Sequence, residues 1–307
     1  MIYKSFIENT LKEASTIATN KFGKVFGSTK IGDNNQVLTK ADLEIGNFII
    51  SQINKYYPKH NIIDEEAGAI DNNSEYTWVI DPIDGTSNFA NGIPLYGIML
   101  GLLYKDIPVT GGIALPSFNE IYFGEKNYGA FCVGERISAT KETKLLSTLI
   151  SYLIDGHQED PEFTRNEAKT IGEIVLKIRN LRSSGSCFDA VMVAKGNYGG
   201  YVNKTSKIWD NVAPQILLEE AGCIYQIFMV KRFRMLIHLR GQKTILLFVL
   251  LLKKYIYNSK KLYILSCSFN SRIIYDMIPF MSEKFENNRF QPSSSLDILK
   301  YARILFA

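Results

Sequence analysis

Apolar side chains at Phe6, Ile7, Leu11, Ala14, Ile17 and Ala18 recur at the spacing of an amphipathic helix, predicted over 3–19. Leu43, Ile45, Phe48, Ile49 and Ile53 repeat it and predict a second helix over 41–57, closed by Pro58. Ile62-Ile63 reads as a short strand ending in Asp64-Glu65-Glu66, and Trp78-Val79-Ile80 as a buried strand ending at Asp81. Further strands are predicted over 98–104 and 108–115, joined at Lys105-Asp106, then over 120–123 and 130–133 around Tyr128-Gly129. Residues 76–137 therefore predict a mostly antiparallel sheet.

Beyond 145 the pattern alternates. A strand is predicted over 149–153, a helix over 166–178, a helix over 188–195, a strand at 201–202 and a helix over 210–221 closed by Gly222. Alternating strands and helices imply an α/β layer. With no repeat or low-complexity linker, the parts are expected to pack as one unit: an N-terminal α+β part (1–140), an α/β part (141–225) and a tail (226–307).

Composition narrows the picture. Hydrophobic residues make up 46% and charged residues 21% of 307, enough for a buried core and unlike a disordered or fibrous chain. Cys132, Cys187, Cys223 and Cys267 form no CxxC pair, which predicts reduced thiols. The N-terminus lacks the basic start and cleavage site of a signal peptide. The longest apolar run, 245–252, falls short of the roughly 20 residues of a membrane helix. The expectation is a soluble, cytoplasmic protein.

The net charge of +4 conceals a split. Residues 1–225 hold 21 Lys+Arg and 27 Asp+Glu, a net of −6, and residues 226–307 hold 14 and 4, a net of +10. Such a basic tail raises nucleic-acid or membrane binding as a possibility, set aside below.

The chemistry concentrates at Trp78-Val-Ile-Asp81-Pro-Ile-Asp84-Gly-Thr86-Ser-Asn-Phe89. A buried strand delivers Asp81 to its tip, where Pro82 is expected to stop the ladder. Asp84 follows three residues later, so both carboxylates can face one point. Gly85 permits close backbone approach, and a helix beginning at Thr86 offers free N–H groups to an anion. Two carboxylates beside such groups suit Mg²⁺ shared with a phosphate. Asp-Pro and Asp-Gly turns are the plain alternative. Glu65-Glu66 at a strand end, or solvated, and Trp209-Asp210 at a helix start, or a simple N-cap, add acidic candidates.

Taken together, four pieces resemble the inositol monophosphatase family of Mg²⁺-dependent, lithium-sensitive sugar-phosphate phosphatases. They are Asp42 in LTKAD, Glu65-Glu66 in IIDEEAG, WVIDPIDGTSNF, and WDNVAPQILLEEAG from Trp209 to Gly222. The resemblance is read over about 3–225 and implies a layered αβαβα sugar-phosphatase fold with an abnormal C-terminal segment. It implies two or three Mg²⁺ ions held by Glu65, Asp81, the Ile83 carbonyl, Asp84 and Asp210. Glu65 would also help activate water, which Thr86 would orient through Asp42. Gly85 and Thr86 would hold the phosphate, and Gly185, Ser186 and Cys187 would line the substrate hydroxyls. At the position where inositol-preferring members carry a Glu, this chain has Asn203, which loses a charge-assisted bond. The expected substrate is a small phosphorylated metabolite such as inositol 1-phosphate. Fructose 1,6-bisphosphate, histidinol phosphate and a 3′(2′),5′-bisphosphate nucleotide are the alternatives, as is a non-catalytic sugar-phosphate-binding role. A homodimer is implied; nucleic acid and membrane are not.

The resemblance stops abruptly after Tyr225, where the composition changes. If the codons of Gln226 to Lys231 are each begun one base earlier, they can read Asp-Phe-Tyr-Gly-Lys, which looks like the family's next strand and turn. The tail is therefore expected to be the product of a one-base frameshift, which explains its basic, apolar composition without a binding role.

Overall fold

Helix α1 (Lys4–Lys21) buries Ile7, Leu11, Ala14 and Ala18, and α2 (Lys40–Tyr56) buries Ile45, Ile49 and Ile53. Both lie within two residues of their predicted ends. The start of α2 is fixed by a capping box: Thr39 caps with its hydroxyl oxygen, and its N–H donates to Asp42 Oδ2 at 2.8 Å. Between the helices, β1 (Ser28–Lys30) and β2 (Asp33–Leu38) form an antiparallel hairpin. Polar DNNQ carries no apolar alternation, so the hydrophobic pattern does not predict it.

This computed structural model describes residues 2–226, apart from 25–27, 31–32, 159 and 204–205, together with a two-residue strand at 265–266. The backbone alone is described for 28–30, 33–38 and that strand. The tail and its proposed frameshift otherwise lie outside the described residues.

The main sheet is built from β3 (Asn61–Asp64), β4 (Gly68–Ile70), β5 (Tyr76–Asp84), β6 (Gly97–Tyr104), β7 (Ile107–Leu115), β8 (Glu120–Glu125), β9 (Gly129–Cys132) and β10 (Glu135–Ile137). A five-residue helix, α3 (Thr86–Ala90), follows β5. The strand order is β10-β9-β8-β7-β6-β5-β3-β4, and only the β3–β5 pair is parallel. The predicted antiparallel region is thus observed. One detail differs. Pro82 does not end β5: after a bulge the ladder resumes with Asp84 opposite Gly97. A bulge is where a strand can hold a proline, and it re-aims the side chains beside it.

The second sheet is parallel, ordered β12-β11-β13, from β11 (Leu149–Leu153), β12 (Asn180–Arg182) and β13 (Gly200–Asn203). Its helices are α4 (Pro161–Val175), α5 (Phe188–Ala194) and α6 (Val212–Glu220). The layers run α1/α2, main sheet, α5/α6, second sheet, α4, the expected αβαβα order. Helix α4 begins before the predicted residue 166 because Asp160 accepts the Phe163 N–H at 3.2 Å and Pro161 occupies the first turn. Helix α6 begins at Val212 rather than Asp210, whose carboxylate instead takes the Lys207 N–H.

Close approach of α6 to the sheet depends on glycines. Gly101, Gly111 and Gly124 are cross-strand partners on β6, β7 and β8. A Cβ on Gly111 would stand 2.9 Å from Ala213 Cα, and one on Gly124 would stand 2.9 Å from Leu217 Cα. The glycine row is a groove that seats α6, whose first residue, Val212, follows Asp210 by two positions.

The cysteines depart in part from expectation. Cys132 and Cys187 are free, but Cys223 is disulfide-bonded. Strand β14 (Ile224–Tyr225) pairs antiparallel with β15 (Leu265–Ser266), Ile224 opposite Ser266. Among the described residues, no helix is long and apolar enough to cross a membrane.

Candidate active site

Three stretches converge at the C-terminal ends of β3, β5 and the β13–α6 connection. Ligand atoms of Asp81, Asp84 and Asp210 all lie within 4.8 Å of one another. Asp81 is 1% exposed, and its Oδ1 has no hydrogen-bond partner. Burial, followed by the charges of Glu65, Asp84, Asp210 and Asp42, holds the Asp81 carboxyl well above the usual carboxylate range. Burial pushes Asp84 up to about 6 against the pull of the Cys187 N–H, with Glu65 and Asp189 adding to the rise. Asp210 is raised by burial and then by Asp84 and Glu65. An orphaned buried oxygen and crowded carboxylates that resist ionisation are the signature of a place for a hard cation. The donor set therefore fits Mg²⁺.

Glu65 lies outside the three-carboxylate group but lines the same cavity of about 230 Å³. Asp64 Oδ1 turns the chain after β3 by accepting the N–H groups of Glu66 (2.9 Å) and Ala67 (2.6 Å). The Glu65 N–H then reaches Ile80 O at 3.3 Å, tying it to β5.

Beside the carboxylates, Thr86 Oγ1 stands 2.8 Å from Ile83 O and 3.2 Å from Asp42 Oδ1. One hydroxyl proton serves one acceptor at a time. The other Asp42 oxygen, Oδ2, is fixed by Thr39, through its N–H at 2.8 Å and its hydroxyl at 2.5 Å. Burial raises the pKa of Asp42 despite these bonds. The turn at Gly85 has φ +81°, and a Cβ there would meet Ser186 Cβ at 2.8 Å. Glycine is required on both counts.

The family model described as the inositol monophosphatase family matches residues 3–260. The chain belongs to the inositol monophosphatase family.

Among the relatives of this family member, the fructose-1,6-bisphosphatase/inositol-1-monophosphatase of Aquifex aeolicus is 33% identical over 175 residues, 56% of this chain and 65% of the relative. The chain thus spans just under two thirds of that relative's length. An IMPase of Thermotoga maritima has 27% identity and a TM-score of 0.67, over 73% of this chain and 85% of that one. An IMPase/NADP phosphatase complexed with Mg²⁺ and phosphate shares the fold at 23% identity and TM-score 0.63, over 73% and 82% of the two chains. Membership and the Aquifex aeolicus relative support a phosphatase function. The family match runs past Tyr225, where the sequence reading has the resemblance end.

In this family member the motif residues come together. Glu65, Asp81, Ile83, Asp84, Gly85, Thr86 and Asp210 line one cavity, with Asp42 directly behind Thr86. Gly185 and Asn203 also line it, and Asn203 Nδ2 donates to the Tyr201 hydroxyl at 3.2 Å. Ser186 and Cys187 are buried behind the wall: the Ser186 hydroxyl accepts the Phe188 N–H at 3.3 Å, and the Cys187 N–H donates to Asp84 Oδ2. The sequence reading missed Asp155 and Lys207, which also line the cavity, and Asn88, whose side chain bridges α3 to Ser184. Lys207 Nζ sits 5.4 Å from the Trp209 ring centroid. A lysine two residues before an aromatic-Asp pair was the one available signal.

Proposed function

We propose that this chain is a Mg²⁺-dependent phosphatase acting on a small phosphate monoester. The observation that carries the reading is the convergence of Asp81, Asp84 and Asp210 within 4.8 Å beside the Thr86–Asp42 pair. Asp81, Asp84, Asp210, Glu65 and the Ile83 carbonyl would hold the metal. Magnesium bound there supplies Lewis acidity toward the phosphoryl oxygens and acidifies water at neutral pH.

The remaining work falls to the chain itself. Thr86 Oγ1 accepts a hydrogen bond from the attacking water and donates its own proton toward Asp42 Oδ1. The raised pKa of Asp42 makes it the stronger base for that proton. Thr39 holds Asp42 in orientation from the far side. Gly85 and Thr86 line the cavity, and their main-chain N–H groups would hold the phosphate. Ser183, Asn203 and Asp155 offer polar groups to the alcohol portion.

Phosphate release is measured with and without Mg²⁺ on inositol 1-phosphate, fructose 1,6-bisphosphate, histidinol phosphate and a 3′-phosphoadenosine nucleotide. Mg²⁺-dependent turnover of at least one, abolished in Asp81→Asn, is expected. Turnover indifferent to Mg²⁺ or to Asp81→Asn refutes the reading.

A further inference from the structure

Asp189 lies in the first turn of α5, is 0% exposed, and takes no part in the chemistry above. A carboxyl group buried this fully is costly to keep unless it is hydrogen-bonded. Its Oδ2 accepts the backbone N–H of Ser184 at 2.8 Å. Ser184 is gripped from the other side as well: its carbonyl accepts from Asn88 Nδ2 at 2.7 Å, and the same nitrogen donates to Leu95 O at 2.6 Å. The loop over 183–187 is thereby held at both the N–H and the carbonyl of Ser184.

Two parts of the candidate site depend on that loop. Gly185 lines the cavity, and the Cys187 N–H donates to Asp84 Oδ2. The loop also rests directly on the metal-binding turn, since no Cβ fits between Gly85 and Ser186. A shift of the loop therefore moves Asp84 or the cavity wall.

We infer that Asp189 is a positioning residue: by fixing Ser184 it sets the loop over 183–187, and through the Cys187 N–H the orientation of Asp84 for metal. The inference rests on the metal-dependent phosphatase reading given above. The test is binding of Mn²⁺ alone to the full chain, followed by loss of the free-ion electron paramagnetic resonance signal, with thermal midpoints measured in parallel. Asp189→Leu keeps the branched skeleton of the side chain and removes the acceptor. It is expected to weaken Mn²⁺ binding about tenfold or more, as loss of a group supporting a metal ligand does. Asp189→Asn retains an oxygen for Ser184 and is expected to restore affinity. Asn88→Ala, which frees the other side of Ser184, is expected to weaken binding in the same direction and carries the test if Asp189→Leu does not fold. Wild-type affinity in Asp189→Leu, or in Asn88→Ala where that carries the test, overturns the inference, whatever the thermal midpoint does. So does an Asp189→Asn variant as weak as Asp189→Leu. A wild-type chain that takes up no Mn²⁺ overturns the phosphatase reading and this inference with it, whereas wild-type uptake with unaltered variants overturns the inference alone.

Discussion

The carboxylate cluster should make the metal-free protein less stable at neutral pH than in mild acid, and one isosteric change should expose this. In the folded chain the pKa of Asp84 is raised from 3.8 to about 6. A raised carboxyl pKa means the native state binds the proton more tightly than the unfolded chain does. The stabilisation is fully present below the unfolded value and is lost as pH rises through about 6. At about 1.4 kcal/mol per pH unit, the loss from this group is about 3 kcal/mol at neutral pH. That is a large part of a typical stability of about 5–15 kcal/mol. Asp84→Asn removes the charge and keeps an oxygen for the Cys187 N–H. In EDTA at pH 7.5 it should therefore be more stable than wild type, by up to about 3 kcal/mol, and the advantage should shrink at pH 5. With Mg²⁺ the order should reverse, because a ligand at 1,000 times its Kd adds about 4.1 kcal/mol that the variant forfeits. Urea unfolding followed by circular dichroism at both pH values, with EDTA or Mg²⁺, measures all four states. The reasoning fails if Asp84→Asn is no more stable than wild type in EDTA at pH 7.5, or if its advantage is the same at pH 5.

Thr86→Val should lower kcat about 10²- to 10⁴-fold, the range for a proton-transfer group, while leaving the Mg²⁺ concentration for half-saturation unchanged; a matching loss of Mg²⁺ affinity would speak against the assigned role. Burial lowers the pKa of His60, whose Nδ1 accepts the Trp78 indole N–H at 3.1 Å. Its contribution to stability should be present above about pH 6.5 and lost as pH falls through the lower folded value, and His60→Gln should flatten that limb of the stability profile. Gly111→Ala would put a methyl group 2.9 Å from Ala213 Cα. It should cost about 1–3 kcal/mol by overpacking and weaken Mg²⁺ binding as α6 and the adjoining Asp210 are pushed outward; unaltered Mg²⁺ binding in a destabilised Gly111→Ala would show that the groove does not set Asp210.

Much of this site could be read from the chain because its parts are local. Asp81, Asp84, Gly85 and Thr86 sit within six residues, so strand, bulge and helix start place them together whatever the rest of the fold does. The wall facing them is different in kind. Gly185 and Lys207 come from the connections after β12 and β13, Asn203 from the end of β13, and their approach depends on how the second sheet packs across α5 and α6. Ser186 and Cys187 follow the same logic: a motif match assigns them to the cavity, but the turn into α5 directs one hydroxyl to a helix N–H and one main-chain N–H to Asp84. Periodicity failed where polar signals decide instead. Helix α4 starts at an Asp-Pro cap that no apolar spacing marks, and the β1–β2 hairpin is polar throughout its second strand's first half. The row of glycines under α6 illustrates the boundary. Each glycine alone reads as a weak point in a strand, and only strand register shows that the three align into a groove. Chemistry carried by neighbours in sequence is therefore legible early, whereas substrate choice, which rests on walls assembled across two sheets, requires the fold.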